Sequence, residues 1–336
     1  MNRSPRLATL CYLVCDTFRQ AMAHGIFAVL LGISLLSIGI CLSVSVEGPA
    51  TMQRADENPD FVSRNDPDAR QADKLKTSGV IVADGKLSLA FGAIQVPLAR
   101  DSRGAIHFLE LILAGGVADT LGLLLTLIWT AGFLPGFLEG SNIRVLLAKP
   151  APRWMLIVGK YLGVLSFVLA NAVFFVGGTW AAIGVRTGFW DSTYLLSVPL
   201  LLLHFSIFFA FSVLLAVCTH NAVVCIFGSL VLWFAAWSMN FGRHMFFTAT
   251  DLAGSSLHST FLAGLIDFGY WVLPKPADLG MMLFNAMGAG TSFASPFDFA
   301  ALETQGFSMT LSVLSSLAIG AVMLIAATRS FQAADY

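Results

Sequence analysis

The chain has 336 residues, 19 basic and 20 acidic side chains, a formal net charge of -1, and 57% hydrophobic content with 28 Phe and 7 Trp. Charged residues make up only 12%, about half the share of a soluble globular domain, so the apolar excess must face lipid and the chain reads as an integral membrane protein. The near-zero charge excludes the basic field that nucleic acid requires. The five cysteines, Cys11, Cys15, Cys41, Cys218 and Cys225, avoid the long polar connections, which excludes a disulfide-stapled outer domain.

A spanning helix needs roughly 20 mostly apolar residues, because the hydrocarbon layer is about 30 Å thick and a helix rises about 1.5 Å per residue. Residues 1–23 mix apolar side chains with Asp16 and Arg19 and predict an inner interfacial helix; 24–46 are uncharged and predict the first span. That span is too long for a signal-peptide core and is expected to stay as an anchor. The connection 47–105 is polar in its first half, which fits a strand-containing element or a solvated loop equally. Its second half, VIVADGKLSLAFGAIQVPLAR, alternates and carries an Asp84-Gly85 turn signal, so it predicts strands.

The second span is expected at 106–137 and the third at 155–183, with 138–154 between them as an elbow. About fifty residues between Asp191 and Arg243 carry no charge, twice what one span needs, so two helices share them. The polar triplet Thr219, His220 and Asn221 marks the break, giving spans at 192–218 and 221–241. Within 242–308 the pieces FLAGLIDFGYWVL and LGMMLFNAM are too short to cross and are separated by Pro274-Lys275-Pro276, which predicts re-entrant or interfacial helices. A sixth span at 309–327 completes an all-α polytopic protein. With the N-terminus inside, Arg3, Arg6, Arg19, Arg144, Lys149, Arg153, Lys160 and Arg329 collect on the cytoplasmic side. The short outer connections then hold only Arg186, Arg243 and Lys275, and both termini lie in the cytoplasm.

The elbow is the most informative stretch: FLPGFLEGSNIRVLLAKPAPRWMLIVGKYLGVL. An acid and a glycine follow the second span, a short amphipathic piece lies along the membrane, Pro150 and Pro152 end it, and Arg153, Trp154 and Lys160 anchor the next span. These residues resemble the permease subunits of ABC-2 type ATP-binding-cassette transporters. That family carries Glu-x-Gly, Leu-Leu-x-x-Pro, an Arg, and Gly-Lys-Tyr/Phe-Leu-Gly between its second and third spans. Leu146, Leu147, Lys149, Pro150, Arg153, Gly159, Lys160, Tyr161 and Gly163 fit; Glu139 with Gly140 directly after it departs from the spaced form.

The resemblance implies that the elbow docks into a separate cytoplasmic ATPase subunit, with Glu139, Gly140, Leu147, Lys149, Pro150, Arg153, Gly159 and Lys160 in the coupling region. It implies a second permease copy, identical or paralogous, across the path, and a multi-pass place in the bacterial cytoplasmic membrane. ATP and Mg would bind the partner. The sequence agrees that no cofactor sits on this chain, because Trp154 stands where a phosphate-binding loop ending in Gly159-Lys160 needs glycine and Tyr161 replaces Ser or Thr.

Individual polar residues carry less. His107 and Glu110, with Asp119 nearby, have the elements of a metal or proton site, but the reading favoured is solvation at the interface, so no metal site is expected. Asp119 lies deep in an apolar segment; it lines the path or the dimer seam, or it hydrogen-bonds a neighbouring helix. Asn171 is a second candidate for path or seam, and Asn171 and Asn240 both suit interhelical hydrogen bonds. His204 reads as a packed, hydrogen-bonded histidine. Gly159-x-x-x-Gly163 permits close helix approach and weakly indicates oligomerisation.

An exporter driven by the partner ATPase is the leading expectation. A mechanotransmitter acting through the loop 47–105 on an extracytoplasmic partner is the alternative. An intramembrane enzyme is disfavoured, since H-E-x-x-H, G-x-S-x-G and a paired intramembrane aspartate are all missing and no catalytic residue is assigned.

Overall fold

A computed structural model describes residues 5–23, 25–47, 53–54, 81–82, 85–98, 102–138, 152–253, 260–286 and 308–334. Helices α1 (Pro5–Ala23) and α2 (Gly25–Leu42) meet at a 75° bend. The bend separates two compositions: α2 is apolar all the way round, whereas α1 carries Asp16, Arg19 and Gln20 among its apolar residues.

Next come α3 (Ser102–Leu111), a π-helical stretch (Ile112–Gly122), α4 (Leu123–Ala131) and α5 (Phe133–Leu138). The chain then forms α6 (Arg153–Thr187), a 3-10 turn (Ser192–Leu196), α7 (Ser197–Thr219), α8 (Ala222–Ala253), α9 (Thr260–Val272), α10 (Pro276–Ala286) and α11 (Met309–Ala333). Among the described residues, five stretches are long and apolar enough to cross a membrane: Arg103–Gly136, Arg153–Thr187, Ser192–Thr219, Ala222–Phe246 and Met309–Ala333. The bent pair α1 and α2 makes a sixth if counted as one span. The architecture is thus all-α and polytopic in kind.

The break between α7 and α8 falls at the polar triplet. His220 takes the left-handed conformation (φ 53°), and the Asn221 side-chain oxygen accepts from the backbone N–H of Val223 at 2.9 Å, supplying the cap that starts α8. Several boundaries differ from the sequence reading: the helix of the first span ends at Leu42, with Ser45 and Val46 in a short strand, and α6 runs past 183 to Thr187. α8 runs on past residue 241 to Ala253, because Arg243 and His244 turn into the protein, and α11 continues past 327 to Ala333.

α7 is the central rod, packed by α4, α6, α8 and α11. Phe205, Phe208, Phe209 and Val213 of α7 meet Leu127, Leu156 and Phe331 in the main core. Outward-facing Leu36, Phe227, Phe234 and Val322 stay exposed, as a lipid-facing surface requires.

A second apolar cluster, including Leu109, Phe175, Ile183 and Tyr194, carries a small antiparallel sheet. Its strands are β1 (Ser45–Glu47), β4 (Gly85–Leu89) and β5 (Ile94–Leu98), in the order β1-β4-β5, with Val46 opposite Leu87 and Leu87 opposite Val96. β2 (Gln53–Arg54) and β3 (Ile81–Val82) form a separate ladder. The β4–β5 hairpin turns at Ala90, Phe91 and Gly92, all with positive φ, and Gly85 opens β4, while Asp84 of the Asp84-Gly85 signal lies outside the described residues. Leu87 is buried beneath the sheet, and Arg186 at the end of α6 donates from Nε to the Val44 carbonyl at 3.0 Å, fixing sheet to helices.

Candidate functional site

Of the elbow residues, Glu139, Gly140, Leu147, Lys149 and Pro150 lie outside the described residues. The start of α6 does not, and its role is to seat α1. A Cβ at Gly163 would lie 2.6 Å from Thr17 Oγ1, 3.0 Å from Thr17 Cβ and 3.4 Å from Val14 Cα, so glycine there lets the two helices approach this closely; at Gly159 a Cβ would lie 2.5 Å from Leu13 Cδ1, a side-chain end that can turn aside. Lys160, between them, is 2% exposed and donates to Asp16 Oδ2 at 2.7 Å and Gln20 Oε1 at 3.1 Å. The Gly159-x-x-x-Gly163 face is thus covered by α1 and is not free for oligomerisation. Lys160 and Gly159 act inside the chain, not on its surface. Arg153, at the start of α6, meets the C-terminal end of α11, donating to the Ala334 carbonyl at 2.8 Å, where a cation favours the negative helix end.

The bend itself is gripped by aromatic rings. Phe18 of α1 and Phe27 of α2 both pack on Phe167 of α6, with centroids 5.5 and 5.8 Å away, and Trp129 of α4 closes the group at 4.9 Å. α1, α2 and α6 are thereby one packed unit leading away from the elbow.

Asp119 sits in the π-helical stretch and meets His204 Nδ1 of α7 at 2.6 Å. Thr120 Oγ1 donates to the Gly115 carbonyl five residues back at 2.8 Å, within a turn loosened by Gly115-Gly116. Asp119 also borders a small cleft with Ser197, Leu200 and Leu279. Asn171 bonds within its own helix, to the Phe167 carbonyl at 2.9 Å, and lines an apolar cleft with Ser34, Thr126 and Phe175. Asn240 does bond between helices.

The densest polar cluster escapes the sequence reading. Asp278 at the start of α10 accepts from Asn240 Nδ2 (2.8 Å), Tyr270 OH (2.7 Å) and Ser312 Oγ (2.6 Å), and its other close partner is His244 Nε2 (2.7 Å). Its own N–H donates back to Asn240 Oδ1 at 3.0 Å. Lys275, 1% exposed, donates to Ser315 Oγ at 2.6 Å and lies over the rings of Tyr270 and Trp271 at 4.6 and 4.7 Å. Arg243 pairs with Asp267 at 2.7 Å and also lies over the Tyr270 ring, 4.3 Å from its centroid. Four helices, α8 to α11, are locked by this network. Its signal in the sequence was the set of charges inside short apolar pieces, with Pro274 and Pro276 holding the turn.

No protein-family model matches the chain, and no curated protein matches it significantly.

Burial pushes the Lys275 ammonium down to about 8, with Asp278 pulling it back up and Arg243 pushing it further down. Burial alone would raise the Asp278 carboxyl, but hydrogen bonds from His244, Ser312 and Tyr270 hold it below its usual range. Between about pH 8 and 10.5 the unfolded chain therefore binds more protons at Lys275 than the folded one, so stability rises with pH across that window. A thermal-unfolding series in detergent should show this rise, and Lys275→Met should flatten it.

The last cluster corrects an expectation. Glu110 is 0% exposed and His107 is mostly buried, so the pair is not solvated at an interface. Their third partner is Asp191, at the α6–α7 connection, and not Asp119. One ligand-capable atom from each of His107, Glu110 and Asp191 lies within 4.8 Å of the others.

Proposed function

We propose that the chain is the permease subunit of an ABC-2 type transporter, an exporter powered by a separate cytoplasmic ATPase that supplies the ATP and Mg chemistry. The observation that carries this reading is the seat of α1 on α6 directly after the elbow motif. Gly159, Lys160 and Gly163 belong to the motif shared with that family, and they are the residues that weld the bent helix pair to α6. A push delivered at Lys149 and Pro150 would move α1, α2 and α6 as a rigid body. The cleft beside Asn171 lies between α2, α6, α4 and α7, and the one beside Asp119 lies between α3, the π-helical stretch, α7 and α10; a path or a seam with a second permease copy would form there.

The sheet favours a second reading. Because β1-β4-β5 is fixed to α3 and α6 by Leu87 and Arg186, the same motion could be passed to an extracytoplasmic partner without solute flux.

Mild solubilisation from native membranes tests the pairing. The wild type should co-purify with an ABC ATPase, and Lys149→Glu should lose it while keeping the wild-type elution volume. Absence of any ATPase from the wild type, or its retention by Lys149→Glu, would remove the elbow assignment.

A further inference from the structure

We propose that His107, Glu110 and Asp191 form a binding site for one divalent transition cation, zinc being the best match. The cluster has the donor set such an ion takes, one imidazole nitrogen and two carboxylates, with a position left for water or a further ligand. Calcium and magnesium, which prefer six or more oxygen donors, fit it less well.

Independent of the clustering is the state of Glu110. Its residue is wholly buried, yet neither carboxylate oxygen has a hydrogen-bond partner among the described residues, and the same holds for His107 Nδ1. A buried ionised carboxylate without partners is among the most costly arrangements in a protein interior. Protonation does not resolve it, because the carboxylic acid would carry an O–H needing an acceptor of its own. The positive side chains at this end are engaged elsewhere: Arg103 lies over the Phe189 ring and Arg186 holds the Val44 carbonyl. A cation held between the three side chains satisfies the carboxylate directly.

The backbone presents the ligands in the required way. His107 and Glu110 are three apart on α3 and so share a helix face. Asp191 is fixed by two bonds that leave one oxygen over: Trp180 Nε1 donates to its carbonyl at 2.9 Å, and its Oδ1 accepts from the Thr193 N–H at 2.9 Å. Oδ2 then faces His107 Nε2 at 3.4 Å. That is long for a charge-assisted hydrogen bond and close to the separation of about 3.3 Å between two ligands of a tetrahedral zinc with bonds of 2.0–2.1 Å. The ion would clamp the start of α3 to the connection entering α7, beside the sheet.

The test uses the full chain, purified untagged in detergent and stripped by a chelator, with Cys11 and Cys15, the exposed pair on α1, replaced by Ser. Zn²⁺ alone is added, and stoichiometry is read by mass spectrometry and affinity by calorimetry. One Zn²⁺ per chain is expected, with at least a tenfold weaker Kd in Glu110→Gln and in Asp191→Asn. The latter keeps the side-chain oxygen that caps the 3-10 turn, so it guards against loss of fold. Absence of stoichiometric Zn²⁺ from the parent protein, or unchanged affinity in both variants, would overturn the site.

Discussion

Asp278→Ala should lower the unfolding free energy by about 3–5 kcal/mol, the loss seen when one member of a buried charged network is removed and the rest stay behind. The substitution strands Asn240, His244, Tyr270 and Ser312, and it removes the only carboxylate paired with His244 among the described residues. Interhelical hydrogen bonds within membranes average about 0.6 kcal/mol, so four of them set a floor of about 2 kcal/mol. Lys275 raises the figure above that floor, because its buried ammonium loses the Asp278 charge that stabilises it. Asp278→Asn keeps one acceptor oxygen and should recover part of the loss. Chemical denaturation in mixed micelles would read both, and a loss below about 1 kcal/mol for the alanine variant would mean that the network adds geometry without stability.

The same network shows where the sequence was legible and where it was not. Counting uncharged residues located the rods, and the polar triplet at His220 located the break between α7 and α8, because chain reversal needs a cap and a left-handed residue that Asn221 and His220 supply locally. Pro274 and Pro276 likewise separated α9 from α10, since both proline effects act within a few residues.

The charge criterion failed at Arg243. It ends a span wherever a cation occurs, whereas here Asp267 across the packed helix neutralises the cation and α8 continues. Lys160 failed for a related reason: a lysine near a helix end is expected to reach for the headgroups, but Asp16 on another helix holds it inside. The π-helical stretch around Asp119 has no side-chain period of its own, and only Gly115-Gly116 hints at it. His107 and Glu110 were visible as a pair, but Asp191 is brought to them by tertiary packing alone. Pairings fixed by local backbone chemistry were readable. Those fixed by an ion partner on another helix were not.

Gly163→Leu should detach α1 from α6. The first added carbon already meets Thr17 Oγ1 at 2.6 Å and Thr17 Cβ at 3.0 Å, and the Val14 Cα at 3.4 Å is backbone that cannot rotate away. Overpacking of this kind costs about 1–3 kcal/mol where side chains can yield. Here a leucine would have to fit against Thr17 Cβ, whose position the backbone fixes, and the Val14 Cα, so the helix must lift, and the Lys160 pairing with Asp16 and Gln20 lifts with it. Thr17 is 2% exposed in the docked state, so Thr17→Cys, placed in a chain with the five native cysteines replaced, reports the event: a maleimide should label it slowly with Gly163 present and rapidly with Gly163→Leu. Gly163→Ala, which needs a smaller shift, should fall between them. If the export reading is right, the detached variant should still hold the ATPase through the elbow but lose ATP-driven flux, because the push would no longer reach α1 and α2. Equal labelling in all three chains would mean that α1 is not held by the glycine seat, and the rigid-body coupling would lose its physical basis.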